Sequence, residues 1–310
     1  MHVDKKVFIS TTTFAEFDSA PLELLKEKGY NYIVNPYKRK MNAVEIIDLA
    51  KEAVGIVAGT ERLDDSVFQQ LSGLKVISRC GTGMDNVDSA AALKRGIEVC
   101  NTPDGPTLAV AELTLGLVLS LLRKINKMDE SLRQGNWTKI MGNLLSGKKI
   151  GIIGFGRIGQ KTAQLIAGFD VAEIAYYDIE DKGCANLKCE RKSLETLLKE
   201  SDIITLHVPS SGKNSPLVGE KELNVMKKGS WLVNVSRGGI VDETALYTSL
   251  KSGHLSGAAI DVFDNEPYSG PLKELDNVIL TPHIGSYAKE ARVKMEMDAV
   301  KNLLDALGTF

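Results

Sequence analysis

Apolar residues in this chain fall in short runs separated by amphipathic stretches. Through the amino-terminal third, apolar runs at 7–10, 32–34, 55–58, 75–78 and 97–100 predict strands. Between them, apolar positions recur at helical spacing over 22–28, 43–52, 66–71 and 89–95. Such alternation predicts a parallel sheet with helices on both faces. This third of the chain therefore reads as a small α/β domain in its own right.

Turn residues then interrupt the pattern at Asn101-Thr102-Pro103-Asp104-Gly105-Pro106, marking a domain junction. Pro106 suits the first turn of a long helix predicted over 107–127. Leu108, Val110, Leu113, Leu115, Leu117, Val118, Leu119, Leu121 and Leu122 make that helix apolar on nearly every side. It is expected to be buried between domains or between subunits. A second α/β unit follows from Gly147 to about His283, with strands predicted at 149–153, 174–177, 203–207, 231–235, 257–260 and 278–280. Six strands with helices between them match a doubly wound dinucleotide-binding domain. The final stretch, 286–307, is a helix with Ala288, Ala291, Met295, Ala299, Leu303 and Leu304 on one face. The first domain has no other closing helix, so this one is expected to return and pack there.

Composition narrows the setting. The chain has 310 residues, 43% hydrophobic and 25% charged, as in a soluble globular protein with room for two cores. A formal charge of −2 and the absence of a basic stripe argue against a nucleic-acid partner. The densest basic cluster, Lys38-Arg39-Lys40, is expected to be solvated surface. The longest apolar stretch, 108–122, contains Glu112 and is shorter than the roughly 20 residues that span a bilayer, so no membrane partner is expected. No leader pattern opens the chain. Cys80, Cys100, Cys184 and Cys189 form neither a CxxC pair nor a zinc spacing, and the expected compartment is the reducing cytoplasm.

The sharpest chemical signal is Gly154-Phe155-Gly156-Arg157-Ile158-Gly159, between the strand 149–153 and a helix that begins near Gln160. Gly154 permits a tight turn, Gly156 lets the backbone approach a pyrophosphate, and Gly159 lets helix and strand pack closely. The helix start offers unpaired N–H groups and a partial positive charge to the phosphates. Asp178 ends the next strand, roughly 20 residues beyond the last glycine, where an acid meets ribose hydroxyls. Its charge opposes a 2′-phosphate, and the residues that follow are Ile179, Glu180 and Asp181 rather than an arginine. The pattern predicts a dinucleotide site with NAD as cofactor.

Ligands in open α/β sheets sit at the carboxyl ends of strands. Those ends carry His207-Val208-Pro209, Val235-Ser236-Arg237, Asp261 with Glu266 in its loop, and His283. Of the four histidines, His2 lies at the terminus and His254 at a helix end, which leaves His207 and His283. His283 at a strand tip, with Arg237 and Glu266 on loops of the same edge, is the candidate for chemistry.

These stretches, with Arg79-Cys80-Gly81-Thr82-Gly83-Met84-Asp85-Asn86-Val87-Asp88, Ala111-Glu112-Leu113-Thr114, Asn234-Val235-Ser236-Arg237-Gly238-Gly239-Ile240-Val241-Asp242 and Thr281-Pro282-His283, resemble D-isomer-specific 2-hydroxyacid dehydrogenases over essentially the whole chain. The resemblance implies an α/β protein of two doubly wound parallel-sheet domains. One is a flavodoxin-like substrate-binding lid formed by both chain ends, 1–101 with 287–310. The other is an inserted Rossmann NAD-binding domain, 102–286. It also implies catalytic Arg237, Glu266 and His283, and a homodimer joined through the cofactor domains. Cofactor contacts are expected from Gly154, Gly156, Arg157, Ile158, Gly159, Asp178, His207, Val208, Pro209, Val235, Ser236 and Asp261. Substrate contacts are expected from Arg79, Gly81, Thr82, Gly83 and Arg237, and no metal is expected.

Roles follow from the chemistry of oxidising a 2-hydroxy acid. His283 takes the hydroxyl proton while hydride leaves C2 for the nicotinamide, since histidine changes charge near neutral pH. Glu266 should hold the other ring nitrogen, fixing the tautomer and favouring the protonated ring. Arg237 should hold the substrate carboxylate through paired N–H donors. Backbone N–H groups of 81–83 should bind the same carboxylate from the lid, and closure about the two interdomain crossings should exclude water.

Within the family, Asn35-Pro36-Tyr37-Lys38-Arg39-Lys40, the 81–88 loop and the 101–106 junction are most similar to short D-3-phosphoglycerate dehydrogenases. Two positions depart. No arginine stands in Val57-Ala58-Gly59-Thr60, where relatives place one for phosphate, so Arg62, Arg79 and the 38–40 cluster are the candidates. Ser286 stands where many members have glycine. The alternatives are an unphosphorylated substrate, such as glycerate with hydroxypyruvate or another 2-keto acid, and an NAD-sensing binding protein of the corepressor type.

Overall fold

The computed structural model describes residues 5–184, 187–209 and 215–308, so His2 lies outside it. Two compact units emerge, Met1–Pro106 with Ser286–Phe310, and Thr107–Gly285.

The first unit is a five-stranded parallel sheet of β1 (Lys6–Ile9), β2 (Asn31–Val34), β3 (Ala53–Ala58), β4 (Val76–Arg79) and β5 (Glu98–Asn101), in the order β2-β1-β3-β4-β5. That is the flavodoxin-like order. Successive side chains of β1 point to opposite faces, as strand geometry requires. Phe8 joins a core with Ile46, Val67, Phe68 and Leu71, beneath α2 (Ala43–Ala50) and α3 (Asp65–Phe68). Val7 and Ile9 join the opposite core with Leu25 of α1 (Ala20–Glu27) and with Met295, Ala299 and Leu303. Those last three belong to the carboxyl-terminal helix, Lys289–Leu307, which starts three residues later than the sequence predicts and packs on β3, β4 and β5. On the α2–α3 side, α4 (Ser89–Lys94) completes the layer, capped by the Asp88 carboxylate on Ala91 N.

Residues 102–106 fold with this first unit rather than with the second, where the sequence boundary put them. The reason is local. Thr102 Oγ1 accepts the Gly81 N–H at 2.8 Å, and a side chain at Gly105 would run into Met295.

The second unit is a seven-stranded parallel sheet: β6 (Lys149–Ile153), β7 (Glu173–Tyr177), β8 (Glu190–Arg191), β9 (Ile203–Leu206), β10 (Trp231–Asn234), β11 (Gly257–Ile260) and β12 (Val278–Leu280). Its order, β12-β11-β10-β9-β6-β7-β8, reverses direction between β6 and β9, and this crevice is where doubly wound sheets bind nucleotides. The two-residue β8 is an addition to the six predicted strands. The long helix also differs from expectation. It is α5 (Thr107–Arg123), broken by the left-handed Lys124 (φ 53°), with α6 (Ile125–Arg133) beyond. Within its own unit, α5 buries Val110, Leu117, Val118, Leu121 and Leu122 against α7 (Arg157–Ala167) and strands β10–β12. The remaining helices are α8 (Leu194–Glu200), α9 (Glu220–Val225) and α10 (Glu243–Lys251).

Cys184 and Cys189 form a disulfide, Cα–Cα 5.8 Å, which the sequence did not predict because their spacing matches no motif. Among the described residues no helix is long and apolar enough to cross a membrane, and no group of His, Cys, Asp and Glu could hold a metal ion.

Candidate active site

Each glycine of the turn after β6 has a distinct physical cause. Gly154 is left-handed (φ +90°), and a Cβ there would stand 2.5 Å from the His207 carbonyl oxygen. A Cβ at Gly159 would collide with the Gly154 carbonyl oxygen and stand 3.3 Å from Ile152, so a side chain would push α7 off β6. Gly156 is different: its backbone is ordinary (φ −73°), and nothing among the described residues stands within 4 Å of a Cβ built there. It caps α7 and faces open space at the helix start. Arg157 and Ile158 form the first turn of that helix. This is a cradle for a pyrophosphate, and the residues fit NAD.

The Asp178 carboxylate reaches across from β7 to accept the Phe155 N–H at 2.7 Å. Its other oxygen accepts the Glu180 N–H at 3.1 Å. Arg191 of β8 approaches this acid only through carbonyl oxygens, donating to Asp178 O at 2.9 Å and Ile179 O at 3.3 Å. At the end of β9, His207 Nε2 contacts Thr205 Oγ1 at 3.1 Å while its Nδ1 is enclosed without a partner. Burial pushes this imidazole down to about 3, so it is neutral at working pH. Val208 packs over Gly154, and Pro209 follows at the surface. Val235 is buried, and the Ser236 N–H and hydroxyl both donate to Asn234 Oδ1, shaping the turn that presents Arg237.

Arg237, Glu266 and His283 gather on the same edge of this sheet. His283 Nδ1 lies 2.9 and 3.1 Å from the two Glu266 oxygens. With its N–H donated to the carboxylate, the ring leaves Nε2 without a partner among the described residues, and an imidazole nitrogen so placed can exchange a proton near neutral pH. The Arg237 guanidinium, half-buried, donates to Ser236 O at 2.7 Å. Its loop is pressed onto the Glu266 loop at Gly238, where a Cβ would collide with the Phe263 carbonyl.

Asp261 takes a role that the sequence did not show. It is fully buried, and its Oδ1 accepts the Thr281 hydroxyl at 2.6 Å and the Ile284 N–H at 2.8 Å, while its Oδ2 accepts the Gly285 N–H at 2.9 Å. These bonds straddle His283, which adopts a left-handed φ of 54°. Few residues other than glycine hold that conformation without support. Burial pushes the Asp261 carboxyl up, and these donors and the nearby His283 charge oppose it. Three donors of the loop that carries the histidine thus share the carboxylate expected at the cofactor.

The first unit places the remaining predicted residues around one loop. Gly81 has φ +145°, and a Cβ there would collide with the Arg79 guanidinium. Its N–H is already donated to Thr102 Oγ1, so of the expected trio only Thr82 and Gly83 keep N–H groups without an acceptor among the described residues. Arg79, expected to face substrate, turns beneath the loop and donates to Cys80 O and, at 3.3 Å, to Asn86 Oδ1. Thr102 and Asn86 are residues that sequence reasoning missed. Asn86 lay within a quoted motif and Thr102 within the junction, yet neither partner is a sequence neighbour.

Residues 115–285 match the family model for the D-isomer specific 2-hydroxyacid dehydrogenase NAD binding domain. The chain is 43% identical over 259 residues to a glyoxylate reductase of Thermofilum pendens, covering 80% of this chain and 76% of that protein. It is 35% identical over 297 residues to a hydroxypyruvate reductase of Thermotoga maritima, covering 94% and 96%. Against a D-3-phosphoglycerate dehydrogenase of Archaeoglobus fulgidus it is 38% identical over 274 residues, covering 86% of this chain but 52% of that longer protein. The solved glyoxylate reductase from Paecilomyes thermophila superposes with a TM-score of 0.87 at 27% identity, covering 98% and 95%. The chain belongs to the D-isomer-specific 2-hydroxyacid dehydrogenase family, as an NAD-dependent oxidoreductase.

Proposed function

We propose that this enzyme reduces small 2-keto acids with uncharged tails, hydroxypyruvate and glyoxylate first among them, to D-2-hydroxy acids. The observation that carries the chemistry is the 2.9 Å contact between His283 Nδ1 and Glu266, which leaves Nε2 to deliver a proton to the keto oxygen. NADH supplies the hydride. Arg237 holds and polarises the substrate, and the Thr82 and Gly83 N–H groups bind its carboxylate.

Two of the cations expected to meet a phosphate, Arg39 and Arg79, are engaged within the first unit, which supports the uncharged tail. Arg39 pairs with Glu45 and donates to Lys40 O. Arg79 is held by Cys80 O and Asn86. Arg62 pairs with Asp64 at 2.9 Å; such an exposed pair is worth about 1 kcal/mol or less, so it is the cation a phosphate could most readily take over. The names of the glyoxylate and hydroxypyruvate reductases fit the same reading. Oxidation of 3-phosphoglycerate is the second reading, favoured by the 38% identity to a dehydrogenase of that substrate.

A panel of hydroxypyruvate, glyoxylate, 2-oxoglutarate and 3-phosphohydroxypyruvate with NADH separates the two. The proposal expects the highest kcat/KM on hydroxypyruvate or glyoxylate. A clear preference for the phosphorylated acid establishes the second reading, and no turnover on any of the four would point to the NAD-sensing alternative.

The active form is a homodimer in this account. The support is α6 and the segment after it, where Ile125, Leu132, Trp137, Met141 and Leu144 are all at least half exposed. Apolar side chains clustered along one segment in this way mark an association surface.

A further inference from the structure

Arg237 and Glu266 stand on different loops, one after β10 and one after β11, and a carboxylate outside the trio ties the two together. After Arg237 the chain passes through Gly238 and Gly239 into α10, where the Asp242 side chain accepts the Thr244 and Ala245 N–H groups at 2.9 and 3.0 Å. Glu243, the first residue of that helix, is half-buried, and its Oε1 accepts the Asp264 N–H of the other loop at 2.9 Å. The preceding N–H, that of Phe263, is donated to Glu266 Oε1 at 3.1 Å. That same oxygen lies 3.1 Å from His283 Nδ1. Two successive backbone N–H groups are therefore held by two carboxylates, one that contacts the imidazole and one that belongs to α10. The surroundings leave this stretch little freedom. A Cβ at Gly238 would stand 2.9 Å from the Asp264 nitrogen as well as against the Phe263 carbonyl, and the Phe263 ring stacks on Tyr268 with centroids 4.2 Å apart.

We propose that Glu243 is a positioning residue for the proton transfer. By holding the Asp264 N–H it fixes the backbone turn that aims the Glu266 carboxylate at His283, and it keeps that carboxylate in register with Arg237. The inference rests on the proposed function, in which Glu266 and His283 act as a pair. Reacting groups held in place by a supporting hydrogen bond lose much of their effect when that support is withdrawn, because small displacements are costly in rate. Burial pushes the Glu243 carboxyl up; the Asp264 N–H opposes this, and the charges of Asp264 and Asp242 add to it. A negative charge is thus not what the position favours, and what glutamate supplies is an acceptor at the right reach. Glutamine keeps that reach without the charge, whereas aspartate, one methylene shorter, keeps the charge and loses the reach.

The test measures kcat for hydroxypyruvate and the Kd for NADH in the full-length wild type, Glu243→Ala, Glu243→Asp and Glu243→Gln. In Glu243→Ala and Glu243→Asp, kcat falls about 10–100-fold while the Kd for NADH changes by less than about twofold. Glu243→Gln, which retains the acceptor, restores kcat to within about threefold of the wild type. Glu243→Asp keeps an acid in the first turn of α10 and carries the same expectation if the alanine variant does not fold. A second comparison adds Glu243→Ala to Glu266→Gln. Because Glu243 acts through Glu266, the further loss there is less than about twofold, whereas a residue that only supports the fold costs as much in either background. Wild-type kcat in Glu243→Ala and Glu243→Asp, a glutamine variant as slow as the aspartate one, or a full further loss on Glu266→Gln overturns the inference. Each of these leaves the proposed function standing as long as His283→Ala abolishes most turnover. Wild-type turnover in His283→Ala overturns both.

Discussion

At the scale of the residue, type and position made the candidate trio legible as neighbours on one sheet edge, whereas the groups that hold it in place were not. His283, Glu266 and Arg237 could be picked out because strand ends define where ligands sit and few residue types suit proton transfer or carboxylate binding. The hold of Asp261 on 281–285 spans about twenty positions and depends on the loop's return, which no spacing rule encodes. His254 shows the same limit: its Nε2 lies 3.0 Å from the carbonyls of Leu223 and Met226 at the end of α9, not at the helix before it. His207 gives a testable consequence. Its folded value, about 3, lies below the ordinary 6.5, so the unfolded chain takes up the proton first. Stability from this residue is present above about pH 6.5 and is lost as pH falls toward 3. His207→Gln should therefore lose less Tm than the wild type between neutral and acid pH, measured by thermal unfolding across that range. A parallel decline in both proteins would show that the ring is not buried neutral.

At the scale of the element, the glycine-rich turn was readable because Gly154 and Gly159 answer to steric demands of the fold and Gly156 leaves open space at the helix start. The break at Lys124, the two-residue β8 and the Cys184–Cys189 bond were not, because each is set by tertiary contacts rather than by local pattern. Helical periodicity runs on through Lys124 without a Gly or Pro to stop it, and β8 is too short to show alternation. The turn itself yields opposite expectations for two similar substitutions. Gly156→Ala has an allowed backbone and open space, so Tm should move by no more than about 2 °C while the Kd for NADH rises at least about tenfold. Gly159→Ala must force α7 from β6, at a cost of about 1–3 kcal/mol, and should lower Tm as well as binding. Thermal unfolding with NADH fluorescence titration reads both. Weak NADH binding by both variants at equal loss of stability would contradict a phosphate cradle at Gly156.

For the whole molecule, alternating strand and helix signals were enough to anticipate two parallel sheets, since connection rules leave few ways to wind them. The exchange of 102–106 between units was hidden because a turn-rich sequence marks a junction without saying which core its glycine packs on. The proposed association is tested on the surface of the second unit. Leu132→Glu with Trp137→Glu should convert a dimer to a monomer in light scattering, and a wild type already monomeric would remove that part of the account.

The central claim is that His283, held by Glu266, carries the proton in an NADH-dependent reduction. It is tested most directly by His283→Ala, with hydroxypyruvate turnover and NADH affinity measured on the same preparation. The account predicts a fall in kcat of about 10²–10⁴-fold with the Kd for NADH changed by less than about twofold. Turnover close to that of the wild type in this variant would contradict it.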